Sequence, residues 1–582
     1  MTTPDIARQH LAEWQKAQPT NFFTTDLGFQ RTLELLWGTA DYKGNMARLY
    51  QFGGLVATTL AAAANHLVAH PPILHPHDPF GQPQNRVELH PDSQQIAQHL
   101  WQAGLTAVYA EKGHNLLGLA LFYLFSQLGE AGYTGPVLMT VGVIKGLQNA
   151  AASPHLPLLL DPAHPFTAAQ WFSEIQSGSD LGDNAVFAYS DDAGNWFLTG
   201  EKWFCAHVTA NLSLVTARVA GQGDGTAGLG LFLVPRQLQD GSRNGLTIQR
   251  LKNTMGSRSL AIGDVTFHDA LAYPIGPLEQ GYAYLTAHIQ SSNWLYNALA
   301  CCGRGRRAYL TAWTYAEHRY AFGQPILHYP LIQDTLTQMR ADVSAMLSGT
   351  LRLAKLVDEQ ETGEAKEGTA AILRLAIPLN QIRSATFAHE LIHQGMEVLG
   401  GNGTLEDFSP LPGLLRDNLS YEHWTGSPNN LLAQIQRDMR QARVHEPFIQ
   451  LIRSMLQPSP FEDLRRETLF QLSQLEQELA DFLVMDELSA TVPLRPLLAH
   501  LMDLFYVACL AVEGAWEYLR KDDRSKQRLA EFFLNRRVLH REAKEIADYA
   551  HQISKLCKDI RPWKIDWDKD RELRQQYGDW VE

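Results

Sequence analysis

The stretch YEHWTGSPNN (Tyr421–Asn430) gathers a carboxylate, an imidazole, an indole and a threonine hydroxyl ahead of a glycine, a serine and two asparagines. A carboxylate or an imidazole can take a proton near neutral pH, whereas a threonine hydroxyl essentially never does. Thr425 therefore cannot act as a base unaided, and Glu422 is the local candidate. On a helical turn it would share the face of Thr425; on an extended strand it would face away. A second stretch, WFSEIQSGSD (Trp171–Asp180), offers hydroxyls and glycines whose free backbone N–H groups can meet an anion or a polar ring edge. GEKWFCA (Gly200–Ala206) sets an aromatic inside an apolar strand, and GGNG (Gly400–Gly403) is a helix-ending turn. His66, His70, His75 and His77 are metal ligands by type, but they show no helically spaced triad, so no metal is expected.

The elements that must carry these residues change texture along the chain. From about residue 28 to 150 apolar residues recur near every 3.6 positions, the mark of amphipathic helices. An interruption, AHPPILHPHDPFGQPQNRVELHP, has five prolines in its first fifteen residues and reads as a non-helical connection. Short runs rich in β-branched and aromatic residues follow, such as NAVFAYS, LSLVTARV and GLGLFLVP, separated by Gly, Asp and Asn. Helical periodicity then returns. The division expected is an N-terminal helical domain (1–165), a middle β domain (166–276), a four-helix domain (277–445) and an extra helical domain (446–582). A chain of 582 residues, 45% apolar and 19% charged, can bury several cores. Its net charge of −13 argues against nucleic-acid binding through the overall field. Five cysteines without CxxC spacing read as reduced thiols. The start, MTTPDIARQH, has no basic stretch followed by an apolar one, and LLGLALFYLF is too short to span a bilayer. A cytoplasmic protein without a membrane partner is the expectation.

SEIQSGSD, TGEKWF about twenty residues on, LFLVPR, MGSRS, HRYAFGQPI and MEVLGGNGT…LLRDN…WTGSPNN follow one another as in the acyl-CoA dehydrogenase family of flavoproteins, which residues 30 to 440 resemble. The segment HPPILHPHDPFGQPQNRVELHP and the helical block after residue 446 are similar to the family's AidB-like branch. The resemblance implies an α+β multidomain fold, FAD as cofactor, and a homo-oligomer, dimer or tetramer, whose neighbouring subunit helps to hold it. By the same resemblance Ser173, Gly178 and Ser179 would hold the flavin ring and phosphates, Trp203 would pack by the isoalloxazine, and Cys205 would stand where Thr or Ser is usual. Arg319 would reach the pyrophosphate across the interface, Phe322 would follow it in the same cofactor-binding motif, Gly400 and Gly401 would approach the adenosine end, and Gly426, Ser427 and Asn429 would contact the flavin.

The catalytic half departs from the family. Its base, a Glu just before the Gly of EG(T/S), is Thr425 here, and the alternative base with its arginine on the first helix after the β domain corresponds to Asn293 and Trp294. The expectation is an FAD-binding acyl-CoA dehydrogenase-like oxidoreductase in which ordinary acyl-CoA dehydrogenation is weak or absent. The alternatives are a flavin-dependent monooxygenase on the same fold and a flavin-containing protein that binds DNA or a protein partner. For DNA the candidates are Arg520, Lys521, Arg524, Arg528, Arg536 and Arg537, whose charges recur on what reads as one helix.

Overall fold

The computed structural model describes residues 3–424, 426–542, 545 and 548–560. Thr425 lies outside the described residues. The order is helical, β, helical and helical, as the sequence texture leads one to expect. In the first region α1 (Asn115–Ser126) is buried along its whole length and α2 (Thr134–Asn149) is buried along most of it. The proline- and histidine-rich segment is more ordered than a connection. It forms an antiparallel hairpin of β1 (Ile73–His77) and β2 (Pro83–Glu88), with a bulge between His75 and His77. Asn85 ties this hairpin to the β domain by donating to the Leu246 carbonyl (2.9 Å) and accepting from the Ile248 N–H (2.9 Å).

The middle region is built from β3 (Ala168–Trp171), β4 (Phe187–Ser190), β5 (Trp196–Ala206), β6 (Leu212–Val219), β7 (Leu229–Pro235), β8 (Leu246–Leu251) and β9 (Ile262–Pro274). Pairings β6–β7, β7–β9, β9–β5, β5–β4 and β4–β6 return to their starting strand, so five strands close on themselves. Closure leaves those strands no free edge. Strand β3 flanks the ring on β6, and β8 flanks it on β9.

After the sheet come α3 (Ser291–His318), α4 (Pro330–Thr362), α5 (Thr369–Leu399), α6 (Leu411–Tyr421) and α7 (Pro428–Ala442). Helix α3 is the axis of the molecule, buried nearly throughout, and its sequence NALACCGRGRRA shows how. A Cβ at Gly303 would collide with Ser126, so glycine there lets α3 cross α1 closely. The C-terminal block docks its α8 (Leu494–Lys521) on α4 and α5. Arg383 and Asp503 pair at 2.6 Å across that seam, and the Tyr506 hydroxyl donates to Asn380 (2.8 Å). A shorter helix, α9 (Ser525–Phe533), follows.

Candidate functional site

A cleft of about 1910 Å³ runs between the closed sheet, α2, α3 and α7. It is roughly twice the upper end, about 1,000 Å³, of pockets that hold a single small ligand, so a large cofactor and a substrate fit together. One wall is the loop that follows β3. Ser173, Gly178 and Ser179 line the cleft, with Trp203 of β5 beside them.

This wall is pinned from behind. Lys202 Nζ lies 2.6 Å from Glu174 Oε1, and it also donates to the carbonyl of Phe172 (3.0 Å) and to Thr216 Oγ1 (3.3 Å). Glu174 in turn accepts from the N–H groups of Ala185 (2.6 Å) and Val186 (3.1 Å). The Trp203 N–H donates to the Ser173 carbonyl (2.9 Å), which fixes the loop against the strand. Burial pulls the Lys202 pKa down to about 8, and Glu174 opposes that shift.

A bulge in β5 sets what the strand shows the cleft. Its pairing with β9 shifts between Lys202 and Cys205, and Phe204 sits at φ +64°. Trp203, Phe204 and Ala206 line the cleft, whereas Cys205 is fully buried in the core of the sheet. The expectation that Cys205 faces the flavin position is therefore corrected: an extra residue in the strand reverses the alternation that sequence spacing assumes. Burial also pushes its thiol up, which leaves it inert.

The opposite wall is the stretch after α6. Among the described residues His423, Trp424, Gly426 and Ser427 line the cleft. Gly426 is at φ +116°, a conformation open to glycine. Trp424 stacks on Tyr421 at 5.1 Å, and Tyr421 donates to Glu130 Oε2 (2.6 Å) while Arg304 lies 3.8 Å over its ring. Burial pushes Glu130 up to about 8. Asn429 is a second correction. It accepts from Arg495 (2.8 Å), and Asn430 lines the cleft in its place. Helix α7 begins at Pro428, so neighbouring residues point about 100° apart.

Glu422 also departs from its assigned place. Helix α6 runs to Tyr421 and Glu422 continues in helical geometry, so its carboxylate meets α5. It accepts from Asn418 of its own helix (3.0 Å) and lies 3.1 Å from Nδ1 of His389 on α5, outside the cleft lining. On α3 the alternative base position holds a neutral pair. Asn293, 2% exposed, donates to Gln170 Oε1 (2.7 Å), and Gln170 donates to the Met139 carbonyl (2.8 Å) and to Asn293 Oδ1 (3.2 Å). A Cβ at Gly142 of α2 would collide with both amides, so glycine makes room for the pair. Trp294 lies next to them, buried and lining the cleft.

Four carboxylates line the cleft among the described residues: Glu174, Asp180, Glu361 and Asp438. Glu174 is tied to Lys202, Glu361 to Lys145 (2.7 Å) and Asp438 to Arg374 (2.5 Å), while Asp180 sits on an exposed loop. The inner cleft holds no carboxylate free to take a proton among these residues.

Arg319, Phe322, Gly400 and Gly401 all lie outside the cleft lining. Arg319 ends α3 and Gly400 ends α5 at φ +62°, and Asn402 joins the two ends by donating to the Tyr315 hydroxyl (3.1 Å). Phe322 stands 97% exposed at φ +50°.

The six basic residues of the C-terminal block do not share one helix. Helix α8 stops at Lys521, Asp522 turns left-handed, and Arg536 and Arg537 fall beyond α9. Arg537 pairs with Asp342 (2.5 Å) and Glu390 (2.6 Å), Arg536 donates to Gln338 (2.7 Å), Arg528 pairs with Asp559, and Lys521 lies 3.6 Å from Glu34. The single basic face is thereby corrected: among the described residues Arg520 and Arg524 remain outside an ion pair, resting on Trp516 and Tyr518. In the hairpin region His66 lies 2.6 Å from Asp92 and His75 lies 3.0 Å from Glu88, while His70 stacks on His90. Among the described residues no three metal-binding side chains converge.

Family models match the chain in the same order as its regions. Residues 14–164 match the N-terminal domain of the adaptive response protein AidB, 169–270 the acyl-CoA dehydrogenase middle domain, and 280–440 the acyl-CoA dehydrogenase C-terminal domain. The AidB protein of Escherichia coli is 30% identical over 465 residues, which cover 72% of this chain and 82% of that one. The chain belongs to the acyl-CoA dehydrogenase family. Within it the AidB-like branch is marked by the N-terminal match. Among solved structures, Caenorhabditis elegans ACDH-11 in complex with C11-CoA shares the fold at a TM-score of 0.81 and 22% identity, over 97% of both chains. An acyl-CoA dehydrogenase from Bacillus anthracis complexed with FAD shares it at 0.65 and 16% identity, over 92% of this chain and 91% of that one.

Gln170, Gly142, Glu174 and Lys202 are the residues that sequence reasoning missed. Glu174 and Lys202 stand inside SEIQSGSD and GEKWF, and an acid in the loop after β3 and a base inside the apolar strand β5 were the signal. Gln170 and Asn293 lie 123 residues apart and carry no local signal.

Proposed function

We propose that this chain is an FAD-binding protein of the AidB-like branch whose cleft keeps the cofactor's half of the site and lacks the proton acceptor of an acyl-CoA dehydrogenase. The cleft's size and donor set suit FAD. Ser173, Ser179 and Ser427 bring hydroxyls, Trp203 brings a ring, and Gly178 leaves the loop backbone open, since nothing lies within 4 Å of where its Cβ would be. Bound FAD would supply a two-electron acceptor.

What carries the reading is the Asn293–Gln170 pair. Removing the α-proton of a thioester needs a group that can hold it, and an amide is neutral throughout the physiological range. With Thr425 at the other base position and the inner cleft carboxylates already paired, ordinary α,β-dehydrogenation is weak or absent. The same arrangement favours flavin chemistry without an α-proton acceptor, such as monooxygenation with O₂ and an external reductant.

Arg319, Phe322, Gly400 and Gly401 serve the site of a second copy. Their separation from the cleft and the exposure of Phe322 support a homo-oligomer in which each copy completes its neighbour's site. A guanidinium suits the bidentate grip on a pyrophosphate. The test is the visible spectrum of the purified protein before and after denaturation. Flavin bands that sharpen on release support the reading, and a colourless protein rejects it. Arg319→Ala should lose flavin and dissociate.

A further inference from the structure

Helix α2 shows the cleft two polar pairs, one turn apart. Gly142 seats the amide pair of Asn293 and Gln170; three residues on, about 4.5 Å along the axis, stands Lys145. Its Nζ lies 2.7 Å from Glu361 Oε1 of α4 and 4.6 Å from the centroid of the Tyr109 ring, and its side chain is 9% exposed. Burial pulls the Lys145 pKa down, and Glu361 works to hold its charge. The other Glu361 oxygen accepts from the Gly113 N–H (3.1 Å). Tyr296, one turn beyond Asn293 on α3, lines the same wall with its hydroxyl bonded to that of Tyr109.

An ion pair that lines a cavity has hydrogen-bonding capacity to spare. An ammonium has three N–H groups and a carboxylate about four lone-pair sites, more than one mutual bond and one backbone donor consume. An alkyl chain drawn over this wall would strip water from both charges and return nothing. A hydroxyl at the same place would accept from Lys145 and donate to Glu361. An ion pair serving only to tie α2 to α4 would leave such a group without advantage.

We infer that Lys145 and Glu361 form a subsite for a hydroxyl on the substrate's acyl chain, so that the cleft takes a hydroxylated acyl thioester in preference to a plain alkyl one. The inference rests on the functional reading above only in taking the ligand as an acyl compound.

The test compares octanoyl-CoA with its 4-, 6- and 8-hydroxy derivatives by calorimetric titration of the full-length protein as purified. At least one hydroxy isomer should bind wild type roughly tenfold more tightly than octanoyl-CoA, the increment of a hydrogen bond to a charged group. Lys145→Met/Glu361→Met replaces the pair with apolar groups of similar volume, a change that buried ion pairs often tolerate. It should abolish or reverse the preference. Lys145→Met/Glu361→Gln, which keeps an acceptor for Gly113, is the second variant with the same expected loss should the first not fold. The subsite is rejected if octanoyl-CoA binds wild type as well as every hydroxy isomer, if a folded variant keeps the preference, or if none of the four thioesters binds. Flavin content is read from the spectrum of the same samples. Missing flavin counts against the FAD reading, and full flavin with no hydroxyl preference counts against the subsite alone.

Discussion

Lys202→Met removes one partner of a buried ion pair that sits directly behind the loop carrying Ser173 and Ser179. The Lys202 and Glu174 side chains are 0% and 3% exposed, so the orphaned carboxylate could not reach water without opening that loop. Stripping one partner from a buried pair costs about 3–5 kcal/mol, a large part of the roughly 5–15 kcal/mol that holds a domain folded. The single variant should therefore unfold at markedly lower urea and lose flavin with it. Lys202→Met/Glu174→Gln removes the charge as well, and the amide oxygen can still accept from one of the two N–H groups, Ala185 or Val186, that the two carboxylate oxygens serve, so part of the loss should return. The assay is a double-mutant cycle in urea, read by tryptophan fluorescence, with flavin affinity measured on the same four proteins. A single variant within 1 kcal/mol of wild type would refute the reasoning, as would a double variant no more stable than the single.

Other expectations follow from the same contacts. Thr425→Glu should raise flavin bleaching by saturated acyl-CoAs about 10²–10⁴-fold in stopped flow, the usual worth of a general base; no gain in a flavin-loaded variant would count against the missing-base account. Glu130 has a folded pKa of about 8 against an ordinary carboxyl near 4.5. The folded state thus holds a proton that the unfolded state has released, and Glu130's contribution to stability, full below pH 4.5, is lost as pH rises to 8. Glu130→Gln should flatten the melting temperature across that window. Gly142→Ala should drive a methyl into Asn293 and Gln170 and cost about 1–3 kcal/mol by thermal melting, with altered fluorescence from Trp294. Because Arg528, Arg536 and Arg537 are committed to partners within the chain, duplex DNA retention should show little salt dependence. A log–log slope near −5, as six phosphate contacts give, would contradict that.

The fold was largely legible because its signals are local or ordered. The change from 3.6-residue to two-residue periodicity near residue 168 marked the sheet, and the order of motifs marked the family. Within the site, legibility stopped where one residue decides direction. The β5 bulge turns Cys205 inward, the start of α7 at Pro428 exchanges Asn429 for Asn430, and the helical continuation of α6 sends Glu422 to His389. None of these announces itself in composition. The Asn293–Gln170 and Lys145–Glu361 pairs join residues 123 and 216 positions apart, which only tertiary packing brings together. The histidine- and proline-rich hairpin was hidden for a different reason: proline excludes helix but permits strands at a sheet edge.

The central claim is that the cleft holds a reducible flavin but, among the described residues, no carboxylate free to accept an α-proton. Anaerobic titration of the flavin-loaded wild-type protein tests it most directly, with saturated acyl-CoAs of several chain lengths first and dithionite afterwards. The account predicts a flavin spectrum unchanged by every acyl-CoA and then bleached by dithionite; bleaching by any of those thioesters at ordinary dehydrogenase rates would contradict it.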